Sequence, residues 1–171
     1  MLKKVLLILI VNIFLFNNVY AYESEDKLKV VVIGKVAKFV KWKRSREKEF
    51  VITILNNQYG SAFDEVYKNK KIHKKSIKIK YINSIKELTF TNILYIPKVD
   101  SKKLKTILKA VEDKNILVVS DIRGFAQKGG VIQIYFVSRK PKLKINLNQA
   151  KENNLKLSSS LLRISTVVKA K

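Results

Sequence analysis

The sequence predicts an α/β fold: a single domain with a mostly parallel central sheet, helices on both faces and a C-terminal antiparallel hairpin. Three observations carry that prediction. Segments 50–55, 92–96 and 115–120 are short, nearly continuous apolar runs, the pattern of strands covered on both faces. Between the last two, Leu104, Ile107, Leu108 and Val111 recur at helical spacing with lysines outward, so strand, helix and strand form a βαβ unit. A Gly129-Gly130 pair then leads into the apolar run 131–137, and a second run, 142–146, follows across Pro141, which reads as a hairpin added to the sheet.

In chain order, Glu23, Glu25 and Asp26 suit a helix N-terminus, where the dipole favours negative charge. Leu28, Val31, Val32, Val36, Phe39 and Val40 follow at three- and four-residue intervals and predict a helix over 28–41. Its stripe brings Trp42, the only tryptophan, toward the packed side. Phe63, Val66 and Tyr67 share a face of a second helix near 61–67. Ile77, Ile79 and Tyr81 alternate with Lys78 and Lys80, a strand with one wet face whose lysines discourage edge pairing. Asp100 or Ser101 can cap the helix over 101–113. Ala150 and Leu155 belong to a short helix. Leu161, Leu162, Ile164 and Val168 predict a last helix begun by the Ser158–160 cluster.

The 171 residues carry no cysteine and one histidine, which excludes a disulfide framework, a thiolate metal site and a cysteine nucleophile. Lys3 and Lys4 precede a twelve-residue apolar run broken once by Asn12, and Val19-Tyr20-Ala21 offers compact residues at a cleavage site. Residues 1–21 therefore read as a secretory signal, too short for a spanning helix. The mature chain is then 22–171, a single exported domain, and its charge falls from +23 by two lysines to +21. Lysine supplies 31 of 36 cationic residues beside 20 Ile and 13 Asn. All three have A/T-rich codons, so genome composition alone accounts for the balance. Arginine is absent from the basic stretch 68–80, where only Tyr67 and Tyr81 flank the lysines. Nucleic-acid readers mix arginine and aromatics with such charge, so no nucleic-acid partner is expected.

No catalytic constellation is visible. His73 lies among lysines without an acidic residue to orient it and reads as a solvated loop histidine. Gly124 to Gly129 has the spacing of a phosphate loop, but Gly130 stands where lysine is required and a strand follows instead of a helix. Gly129 and Gly130 are read as a structural turn. Ser120 and Asp121 end a buried strand, where open α/β sheets place ligands. They are the candidate pocket of an alternative function, an envelope protein that binds a small molecule. No metal site and no cofactor are predicted.

The order of motifs in the C-terminal half resembles the YfiR family of periplasmic regulators. The matching residues are 116–121, Gly124-Phe125-Ala126, 129–132, Ile145-Asn146-Leu147, Ala150 and Leu157-Ser158-Ser159 with Leu161-Leu162-Arg163. Ala37 to Trp42 looks like the family's first-helix signature. Lys43 and Leu143-Lys144 depart from the usual pattern, and the missing cysteines remove disulfide-based redox control. The resemblance implies a non-enzymatic regulator that represses an inner-membrane diguanylate cyclase through its periplasmic domain. It implies an outer-membrane-associated partner that sequesters the regulator, and leaves a sensor kinase as the target and a homodimer open. Arg163, Lys144 and Asn146 are the candidate partner contacts.

Overall fold

The computed structural model describes residues 24–43 and 47–169. The predicted signal segment, its cleavage point after Ala21, and Arg44 and Arg46 lie outside the described residues.

Helix α1 (Glu25–Ala37) starts at Ser24, whose hydroxyl accepts from the Lys27 N–H, with Glu25 and Asp26 in the first turn. It stops four residues short of the predicted end. Val40–Lys41 forms β1, paired antiparallel with β9 (Lys156–Leu157). Phe39, expected on the packed stripe, is 42% exposed. What periodicity missed is tertiary: the Phe39 carbonyl accepts from Ser158 N, so the chain leaves the helix to pair with a segment over a hundred residues away.

The remaining strands are β2 (Phe50–Leu55), β3 (Lys71–Ile72), β4 (Lys75–Ile82), β5 (Ile93–Ile96), β6 (Leu117–Ser120), β7 (Ile132–Val137), β8 (Lys140–Asn146) and β10 (Thr166–Val168). They form one sheet in the order β10-β8-β7-β6-β5-β2-β4-β3. The five strands β4, β2, β5, β6 and β7 run parallel. β7 and β8 make the expected hairpin, and β10 adds parallel to β8. The last segment was expected to be one helix. Instead α5 (Ser159–Arg163) ends after five residues, and Thr166, Val167 and Val168 form a strand, the state β-branched residues favour.

Alternation divides the core in two. Ile52, Ile54, Ile93, Tyr95, Leu117, Val119, Ile132 and Ile134 face a layer that holds α1, α2 (Ala62–Tyr67) and the C-terminal helices. Leu94, Ile96, Ile116 and Val118 face the other way, onto Leu104, Ile107 and Val111 of the α3 region (Ser101–Ala110) and onto Phe125. Asp100 caps α3, its carboxylate accepting from Lys103 N at 2.8 Å. Apolar side chains on both faces are what the continuous runs require.

The β6–β7 connection turns where the glycine pair predicted. Gly129 has φ +96°, and the Gly130 N–H donates to Phe125 O at 3.0 Å. A Cβ on Gly130 would stand 2.1 Å from the Phe125 ring, which is fully buried. Gly129 therefore supplies the left-handed backbone and Gly130 the close approach.

Candidate functional site

The carboxyl ends of β2, β5 and β6 carry a polar cluster. Ser120 is fully buried. Its hydroxyl donates to Ile96 O at 2.6 Å and accepts from Ile122 N at 3.0 Å, so it joins two strand ends and closes the following turn. Asp121 points back to α1, with Oδ2 2.8 Å from Lys29 Nζ, and Lys29 also reaches Asp26 Oδ1 at 2.9 Å. The Tyr59 and Tyr95 hydroxyls are 2.7 Å apart. Burial works against the charged form of Lys29, but Asp121 and Asp26 outweigh it and hold the pKa above the ordinary lysine value. Burial raises Tyr59. It raises Tyr95 as well, with Asp121 and Tyr59 adding to the effect. Lys29 thus stays charged and both tyrosines neutral at pH 7, and the cluster pins α1 to the sheet. Ser120 and Asp121, expected to line a ligand pocket, have their polar atoms engaged by neighbours.

The three candidate partner contacts separate. Asn146 is 1% exposed. Its amide donates to Ala126 O at 2.9 Å and its carbonyl accepts from Gln149 N at 3.0 Å, capping α4 (Leu147–Glu152). That is the reason for its Ile-Asn-Leu context, and it removes Asn146 from any surface. Lys144 is half-buried, with its ammonium 5.2 Å from the Tyr135 ring centroid. Arg163 is exposed at the end of α5. Thr166, three residues on, pairs with Lys144, so Arg163 and Lys144 share the β8–β10 margin of the sheet. There Ile164 is 70% and Val167 50% exposed. No sequence signal marked that apolar edge, because its residues were assigned to a helix.

At the amino ends of the strands the sequence reading missed a second cluster. The Trp42 indole donates to Asn92 O at 3.1 Å and meets Phe50 edge-on at 5.1 Å. Trp42 is half-buried, packed against the core as expected but from an extended segment. His73 is exposed, as expected, but it has φ +51° and places Nε2 3.0 Å from both Ala37 O and Val40 O. The ring meets one of the last carbonyls of α1, that of Ala37, and the Val40 carbonyl of β1. The one signal for this was the isolated histidine near a turn, too little to identify its partners.

Among the described residues, no group of three or more His, Cys, Asp or Glu could hold a metal ion. No helix among them is long and apolar enough to cross a membrane. No curated protein matches the chain. A solved structure from Streptococcus pneumonia, described as an ABC domain in complex with L-Trp, aligns with a TM-score of 0.55 at 11% identity, covering 84% of this chain. This chain spans 60% of that one, and the likeness is one of fold. The family comparison covers most of the chain: residues 26–166 match the YfiR/HmsC-like family. The chain belongs to that family, one of periplasmic regulators in cyclic di-GMP signalling and not of catalysts.

Proposed function

We propose that this protein represses an inner-membrane signalling enzyme, most directly a diguanylate cyclase, by binding its periplasmic domain. The family match over residues 26–166 carries the reading. A regulator of this kind needs a reversible surface that prefers one of two states of its target. The α5–β10 margin supplies the chemistry. Among the described residues it is the outer edge of the sheet, with no strand paired beyond it, two exposed aliphatic side chains and Arg163 beside them. An exposed edge strand invites pairing with another chain, and arginine adds fork-like recognition of a carboxylate. Export by residues 1–21 with cleavage after Ala21, sequestration by an outer-membrane-associated partner and a homodimer are parts of the same proposal. The alternative of a small-molecule binder draws no support from Ser120, whose hydroxyl is buried and doubly bonded.

A photoreactive residue at Val167 in the full chain tests this. In cells it should capture an inner-membrane protein with a cyclase domain, and the same label at exposed Lys102 on α3 should not. Equal capture from both positions, or none from Val167, would remove the margin from the account.

A further inference from the structure

We infer that the amino edge of the sheet, centred on Trp42, docks on an anionic phospholipid surface. This goes beyond the regulatory reading and does not depend on which partner is repressed. Two grooves of about 570 and 500 Å³ lie side by side and share Lys41, Trp42 and Lys43. Lys151 and Lys156 line one and Lys75 the other, and no carboxylate lines either. The Lys75 ammonium donates to the backbone carbonyl of Glu47 at 2.6 Å, and among the described residues it forms no ion pair. Phe39, 42% exposed, precedes the edge by three residues.

The chemistry favours a membrane over a protein. Among the described residues that line the grooves all five cations are lysines, compact and strongly hydrated point charges that suit a field of phosphates, whereas a specific acidic protein face is better read by arginine forks. Lysine clusters near an anionic leaflet add affinity charge by charge. Trp42 has its N–H satisfied inside the protein and its ring only partly covered, the amphipathic arrangement that places tryptophan at membrane–water boundaries.

Trp42 is the sole tryptophan, so its emission reports this edge alone. The full chain is mixed with vesicles of phosphatidylcholine, and with vesicles in which a third of that lipid is replaced by phosphatidylglycerol, at ~0.15 M salt. Emission should shift to the blue with the anionic vesicles only. Each lysine near such a surface contributes about fivefold in affinity, so a Lys41→Gln, Lys43→Gln, Lys156→Gln variant, which removes charge with little change of shape, should bind roughly a hundredfold more weakly. Glutamate at the same three positions, which reverses the charge, should give a larger loss. Glutamate at Lys102, Lys105 and Lys109 of α3 changes net charge equally and should cost under about fivefold, since those lysines lie on the other side of the sheet. Equal losses from the two glutamate variants would reduce the effect to net charge and overturn the proposal. So would equal shifts with both vesicle types, or a Trp42 shift with polyglutamate and none with anionic vesicles, which would make the groove a site for an acidic protein. Loss of vesicle binding with intact cyclase repression would separate this surface from the regulatory one.

Discussion

Gly130 faces a ring that has nowhere to go. A methyl group 2.1 Å from Phe125 must displace a fully buried side chain, and overpacking of that kind costs about 1–3 kcal/mol. Gly130→Ala should therefore lower the melting temperature by roughly 3–10 °C for a chain of this size. Gly129→Ala, with only φ +96° to resist it, should cost about 1–2 kcal/mol. Thermal unfolding of the two variants separates backbone strain from a steric clash, and equal small effects would contradict the packing seen here. Asn146→Ala should be costly too, at about 2–3 kcal/mol, because it removes the α4 cap and leaves the Ala126 carbonyl short of a donor. The pair Gly129-Gly130 was legible as a turn from its neighbours in the chain. The partner of Gly130 was not, since Phe125 returns to it only through the turn's own geometry. Asn146 was legible as important, but its residue type fits an interface and an internal cap equally well.

The elements that sequence patterns fixed are those whose pattern is made by their own neighbours. The continuous runs at β2, β5 and β6 and the heptad-like stripe of α3 state their burial directly, and the hairpin follows from its turn. The elements that were misread depend on distant partners. α1 ends where His73 meets the Ala37 carbonyl, and just beyond it the Phe39 carbonyl accepts from Ser158 N–H and the Val40 carbonyl meets His73, although apolar spacing continues past that point. His73→Ala should therefore speed amide exchange in the last turn of α1 and in β1, at a cost of about 1–2 kcal/mol. Unchanged protection at Val40 would show the histidine contact to be incidental. Spacing at 161, 164 and 168 fits a helix that continues α5, whereas the β-branched run fits the strand that β10 forms. With Val167 half exposed, Val167→Lys should leave stability within about 0.5 kcal/mol. It should nevertheless weaken partner capture, since an edge lysine opposes strand pairing. A large fall in melting temperature would instead make β10 a core element.

At the scale of the whole molecule, charge and protonation set the working range. Burial raises the hydroxyl pKa of Tyr67, Tyr81 and Tyr95, and Asp64 adds to the effect at Tyr81. A folded-state pKa above the unfolded value, ~10 for tyrosine, gives stability that is complete below pH ~10 and is lost as pH rises toward the folded values. Lys29, also raised, behaves in the same direction. The share of phenolate absorbance that belongs to these tyrosines should therefore lag that of free tyrosine and appear together with loss of helical circular dichroism. Normal titration in the folded protein would contradict the buried hydroxyl network. The sheet thus offers a tied carboxyl end, an apolar outer margin at β10 and a lysine-lined amino edge at Trp42, and the regulatory account needs only the margin to act on a membrane target. Cellular cyclic di-GMP tests that account most directly, measured in a strain lacking the gene, in one re-expressing the full chain and in one re-expressing residues 22–171 alone. The account predicts a rise on deletion, a return with the full chain and no return without residues 1–21; an unchanged level in all three strains would contradict it.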